Sequence, residues 1–146
     1  MKVKIKRLDN AIELPKYHTP ESAGFDIAAA EDAIVQPREI KIIRSGLIIE
    51  APPEHFLLIA PRSSLALKKG LSMPQSVGII DSDFSGPNDE ISLVVYNFTD
   101  KPVSVSKGER LAQGIFLKND RVEWEEVDQI RKNSRGGYGS TGGLNE

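Results

Sequence analysis

Apolar and polar residues alternate one by one through this chain, and the alternation breaks every few residues at a turn signal. Val3 and Ile5 alternate with Lys2, Lys4 and Lys6, and Ile40 and Ile42 with Glu39 and Lys41. Ile91, Leu93 and Val95 share one face, Val103 and Val105 alternate with serines, and Val122 and Trp124 alternate with Glu123 and Glu125. A period of two is that of a strand with one buried face. Thr19-Pro20, Gln36-Pro37, Ser45-Gly46, Pro52-Pro53, Ser85-Gly86-Pro87-Asn88, Thr99-Asp100-Lys101-Pro102 and Lys107-Gly108 separate the strands. Many short strands and frequent turns predict an all-β sandwich or barrel. Only Ser63–Lys69 reads as a helix, with serines placed to cap it and Gly70 to end it. No internal repeat is present.

A chain of 146 residues fits one domain. Its net charge of −2 gives no bulk attraction to nucleic acid or an anionic membrane, so an anionic ligand needs locally placed cations. There is no cysteine, which excludes disulfides and thiolate metal sites. The basic start Met1–Arg7 is followed by no apolar stretch and predicts no signal peptide. The longest apolar run, Phe56–Ala60, is far too short to span a bilayer. A cytoplasmic protein is expected.

The C-terminus changes character. Five of the twelve glycines fall within Gly136–Gly143, together with Tyr138, Ser140, Thr141 and the adjacent Arg135. Such a segment adds nothing to a core, and as free chain it is expected to be disordered. A plain linker is the bland reading. Glycine amides, hydroxyls and a guanidinium also suit closure over a phosphate chain. The expected division is a β domain over residues 1–130 and a glycine-rich arm over 131–146.

Several stretches carry candidate chemistry. In Pro61-Arg62-Ser63-Ser64 a strand ends and a helix opens, offering amides and a planar cation to an anion; a plain helix cap with a surface arginine is the simpler reading. Asp81 follows the apolar run Val77–Ile80 and is either a general base or an ordinary turn aspartate. Asp26 follows Gly24 at a strand start, and Gln113 interrupts an otherwise small or apolar run, so its amide needs a partner. No special role follows for His18 or His55.

Taken in order, Ala23–Ile27, Pro61–Ala66, Gly78–Gly86, Gly108–Gln113 and Arg135–Gly142 resemble the five motifs of the trimeric dUTPase family. The resemblance covers nearly the whole chain. It implies a jelly-roll-like β-sandwich of β-clip type with one short helix, assembled as a homotrimer whose active sites are shared between subunits. It implies a dUTP diphosphatase, making dUMP and pyrophosphate with Mg2+. Asp81 would activate the water that attacks the α-phosphorus. Arg62, Ser63, Ser64, Arg110, Gln113, Arg135, Ser140 and Thr141 would hold phosphates. Gln75, Gly78, Ile79, Ile80, Phe84 and Tyr138 would receive uracil and deoxyribose. Asp26 would contact a hydrated metal through water or orient the site arginines, and Asp83 would be structural.

The chain departs from the family pattern in places. Ser64 replaces a frequent Gly, Gln75 an Asn, Phe84 a Tyr and Tyr138 a Phe. Arg135 directly precedes Gly136, which leaves Arg131 as a second candidate for the γ-phosphate. The run Pro87–Glu90 lengthens the path to Asn97 at little entropic cost. The same fold also serves dCTP deaminases, bifunctional deaminase–diphosphatases and silent nucleotide-binding trimers. The full tail and the Gly78–Asp81 hairpin favour uracil, and a candidate base favours hydrolysis.

Overall fold

The computed structural model describes residues 1–137. Within them the alternating segments form eleven strands: β1 (Lys4–Arg7), β2 (Phe25–Ala28), β3 (Ala33–Val35), β4 (Ile40–Arg44), β5 (Leu47–Glu50), β6 (His55–Pro61), β7 (Leu71–Ser72), β8 (Gly78–Ile80), β9 (Ser92–Asn97), β10 (Val103–Val105) and β11 (Arg110–Lys118). They pair antiparallel into four small sheets, ordered β2-β11-β6-β8, β4-β9-β7, β1-β5 and β10-β3. The inward side chains of all four sheets meet in one core, where Phe25, Ile27, Val35, Ile43, Leu57, Ile59, Leu93, Val95 and Leu111 are buried. The protein is an all-β sandwich of the jelly-roll type, and burial of each large apolar side chain stabilises it by about 1.5–3 kcal/mol.

Antiparallel pairing with one wet face gives the alternation its meaning. In β9, Leu93, Val95 and Asn97 point in while Ser92, Val94 and Tyr96 are less buried. Buried Asn97 is tolerated because its amide is fully used. Nδ2 donates to the carbonyls of Val35 (2.9 Å) and Lys101 (2.8 Å), and Oδ1 accepts from Thr99 N (2.9 Å) and Oγ1 (2.8 Å). The Pro87–Glu90 run is an ordered turn. Asp89 accepts from Gly86 N at 2.7 Å, and Glu90 reaches back to Gly46 N (2.7 Å) and Arg44 Nε (3.0 Å).

Three expectations are corrected. Ile40 and Ile42 do not form the buried face of β4; they are 60% and 61% exposed, and Ile43 points inward instead. Val122 and Trp124 belong to no strand: among the described residues the last strand ends at Lys118, and Trp124 is 91% exposed. The segment read as a capped helix is one wide π-type turn, Leu65–Lys69, and Ser64 makes no side-chain capping bond. Its end is as expected, with Gly70 at φ +70° donating to the Ala66 carbonyl at 3.1 Å. That conformation suits glycine because it has no Cβ.

Candidate active site

One end of the sheet β2-β11-β6-β8 gathers polar residues from distant parts of the chain. Asp26 of β2 lies directly across from Gln113 of β11, and Gln113 lies across from Ala60 of β6. Directly paired residues share a face, so Asp26 and Gln113 stand together on the side away from the core. Just beyond β6, Arg62 N donates to the Leu111 carbonyl at 3.1 Å, which holds Arg62 beside them.

Arg110 reaches the same side through a bulge. Arg110 pairs with Ala28, but Ala112 pairs with Ile27, so Leu111 is an extra residue. In a regular strand Arg110 would share the inward face of Ala112. The bulge shifts the phase by one, so Leu111 and Ala112 are both buried and Arg110 turns out toward Asp26. Gly108, at φ +85°, forms the preceding turn and is tied to β2 by Gly108 N to the Ala29 carbonyl (2.8 Å) and Ala29 N to the Glu109 carbonyl (2.9 Å).

Asp26 is the hub. Its side chain is 14% exposed; Oδ1 accepts from Arg62 Nε at 3.1 Å and Oδ2 from Arg110 NH1 at 2.9 Å. His18 Nε2 joins them, 3.0 Å from Oδ2 and 2.7 Å from Arg110 NH1. Of the two roles considered for Asp26, the geometry displays the orientation of the arginines. These residues, with Ser22, Gly24, Ser63 and Gln113, line an open cleft of about 440 Å³. Gln113 has only a long contact with the Pro61 carbonyl, 3.5 Å, so its amide is free to meet a ligand. Two guanidiniums share one carboxylate here, which leaves an excess of positive charge and a fork geometry suited to phosphate. The pair Lys69–Glu109, at 2.9 Å, ties the helical turn to the turn before β11 and fixes Ser63 and Ser64 relative to Arg110.

A second group sits elsewhere. Ile80 of β8 pairs with Leu57 near the start of β6, and Gly78 with Ile59. Asp81 follows directly and is exposed, its carbonyl accepting from Phe84 N at 3.2 Å to close a turn. Phe84, Val77 and Ile79 leave an apolar surface open around it, and Gln75 lies exposed in the loop before β8. Ile80 packs against the core rather than outward. This group and the Asp26 cluster occupy opposite edges of one sheet and opposite ends of β6. Three strand spacings and several residues along β6 put them on the order of 15–20 Å apart. The two are not one pocket on a single chain.

Arg131 and Arg135 are exposed and do not line the cleft, while Tyr138, Ser140 and Thr141 lie outside the described residues. His18 is the site residue for which no role followed from sequence. Nothing in its own neighbourhood marks it; its place depends on the path of the loop before β2. The bulge did leave a signal, two consecutive inward apolar residues after an arginine. Among the described residues, no three acidic, histidine or cysteine side chains converge on a metal position, and none of their helices is long and apolar enough to cross a membrane.

Known proteins resemble this chain over nearly its whole length. The family model described as dUTPase matches residues 10–142. The deoxyuridine 5'-triphosphate nucleotidohydrolase of Anaplasma marginale is 41% identical over 148 residues, covering 97% of this chain and 99% of that protein. The protein of the same name from Nautilia profundicola is 39% identical over 144 residues, with coverage of 97% and 99%. Among solved structures, the dUTPase from Streptococcus mutans superposes with a TM-score of 0.77 at 30% identity, over 85% of this chain and 100% of that one. The Staphylococcus bacteriophage 80alpha dUTPase with dUPNHPP reaches a TM-score of 0.85 at 22% identity, over 97% and 98%, a likeness of fold.

Proposed function

The chain belongs to the dUTPase family, and from that premise we propose that it hydrolyses dUTP to dUMP and pyrophosphate in sites assembled between three copies of itself. The observation that carries the shared site is the separation of Asp81 from the Arg62–Arg110 cleft. A base that activates water must lie within one water of the phosphorus attacked. Asp81 on one chain is too far from that chain's own cleft, so the aspartate serving a cleft comes from a neighbour. The outward apolar side chains Ile34, Ile40 and Ile42 support contact between copies, since a monomer rarely leaves such a face open. A closed ring of three uses one such heterologous contact repeatedly.

In this reading Arg62 and Arg110 bind the phosphates, steadied by Asp26, while Ser63, Ser64 and Gln113 donate from the same rim. The helical turn has five residues, too few for a strong dipole, so the hydroxyls and arginines carry this binding. Uracil and deoxyribose lie in the Gln75–Phe84 hairpin. Gly78, Ile79 and Ile80 supply its backbone edge, and Phe84 packs on the sugar where a 2′-hydroxyl would lose its partners. Asp81 takes the proton of the attacking water, and pyrophosphate leaves. Residues 131–146 of a third copy close the site. Tyr138 stacks on uracil, Ser140 and Thr141 meet phosphate, and Arg135 or Arg131 reaches the γ-phosphate, excluding water during reaction.

The donors present do not fit a metal caged by protein. Asp26 is the one carboxylate in the cleft lining, and both its oxygens are engaged. The substrate is therefore taken as the magnesium complex of dUTP, with Asp26 meeting the ion's water shell and no side chain coordinating it. A cysteine-free chain needs no oxidising compartment, consistent with the cytoplasm. The test is pyrophosphate release from dUTP, dTTP, dCTP and UTP, with and without magnesium. Release from dUTP alone, dependent on the metal, is expected. Ammonia release from dCTP, or tight dUTP binding with no turnover, would replace this reading with a deaminase or a silent trimer.

A further inference from the structure

The loop between β1 and β2 places two residues in the cleft in addition to those of the motifs, Ser22 and His18, and His18 is the one that touches Asp26 and Arg110. Asp26 N donates to the Lys16 carbonyl at 3.3 Å, and the Tyr17 ring meets Phe25 edge-on with centroids 5.7 Å apart. These two contacts lay residues 16–18 along the free edge of β2, with Tyr17 against the apolar Phe25 and His18 beside Asp26. A tight turn follows at once. Ser22 N donates to the Thr19 carbonyl at 3.1 Å, Thr19 N to Ser22 Oγ at 3.1 Å, and the two hydroxyls are 2.7 Å apart. The turn stops the loop from sliding along β2, so the position of His18 is fixed from both sides.

Arg110 held by a single carboxylate oxygen could pivot about that contact. NH1 carries two N–H groups. His18 Nε2 stands 2.7 Å from that nitrogen and 3.0 Å from Asp26 Oδ2, which itself accepts from NH1 at 2.9 Å, so the three atoms close a triangle. A third corner on the Arg110–Asp26 pair restricts the guanidinium plane. Pivoting has somewhere to lead, because His18, Asp26 and Arg110 also line a larger cavity of about 620 Å³. We propose that His18 is a positioning residue of the phosphate cleft: it closes the Arg110–Asp26 pair from the side, and it keeps the remaining N–H groups of that guanidinium turned toward the bound triphosphate. The proposal rests on the reading of this cleft as the triphosphate site.

The test compares wild type, His18→Ala and His18→Gln in the full chain. Binding is measured by calorimetry with magnesium and the α,β-imido analogue of dUTP, and inhibition with deoxyuridine, which has no phosphate. His18→Ala is expected to weaken the analogue and raise KM by roughly five- to tenfold, the lower range for a hydrogen bond to a charged group at a half-exposed site. It leaves kcat within about twofold and deoxyuridine inhibition unchanged. His18→Gln, whose amide can still meet Arg110 or Asp26, restores the analogue's affinity. Equal losses for analogue and deoxyuridine, no loss at all, or a glutamine variant no better than alanine would each overturn the proposal. If wild type itself neither binds the analogue nor turns over dUTP, the function proposed above fails instead.

Discussion

Two inactive variants, each harmless to the other's half of the site, should restore activity when they assemble together. Asp81→Asn removes the proposed base while leaving Arg62, and Arg62→Ala removes a phosphate contact while leaving Asp81. Alone, the first should lose roughly 10²–10⁴-fold in kcat. The second should lose roughly 10–100-fold in kcat/KM, the worth of a charged hydrogen-bond pair to phosphate. The separation of 15–20 Å estimated from strand spacings means that a complete site takes Asp81 from one copy and Arg62 from another. In an equal mixture unfolded and refolded together, each contribution is intact half the time, so about one quarter of sites are complete. The assay is pyrophosphate release at dUTP well below KM, with the two variants refolded separately and then mixed as the control. Activity near a quarter of wild type is expected after joint refolding, and only the sum of the residual activities in the control. If joint refolding recovers nothing above that sum, both groups act within one chain and the shared-site assignment is wrong.

Three further outcomes follow. Phe84→Ala should relax sugar selection, raising the UTP to dUTP ratio of kcat/KM by roughly 5–150-fold, the equivalent of about 1–3 kcal/mol at a desolvated hydroxyl; an unchanged ratio places the sugar elsewhere. Deleting residues 136–146 should abolish most turnover while leaving the unfolding midpoint within about a degree, since their glycine-rich sequence offers little apolar surface to bury. Asn97→Ala should cost about 2–4 kcal/mol in denaturant unfolding, because it leaves the Val35 and Lys101 carbonyls without the amide that now satisfies them.

Period-two alternation makes β9 legible, because its inward residues Leu93 and Val95 are the ones that share the apolar face. The same rule inverts β4. Ile40 and Ile42 are apolar and face outward, and a chain read alone gives no sign that an apolar residue is kept for another surface. Val122 and Trp124 mislead in the same way, with the alternation of a strand but no strand partner among the described residues. Arg62, Ser63, Asp26, Arg110 and Gln113 were legible because motif order placed them together, and the cleft brings them together in space. His18 was not, since only the Thr19-Pro20 turn beside it is signalled, and the contacts of Lys16 and Tyr17 that lay the loop along β2 have no sequence signature. The distance between Asp81 and that cleft was also hidden, because it depends on strand order rather than on any residue.

The extra residue at Leu111 makes β11 unequal along its length. From Ala112 to Lys118 the strand pairs with β6 without interruption, so its far end can fray, shorten or lengthen with only local effect. Near Arg110 the parity of the chain itself is functional. Straightening the strand with every residue kept would put Leu111 opposite Ala28 and turn the guanidinium toward the core, whereas removing Leu111 alone would leave Arg110 opposite Ala28 and facing out. A change of length near the start of this strand is therefore compatible with the cleft only where Arg110 keeps its place opposite Ala28, a condition its far end does not impose.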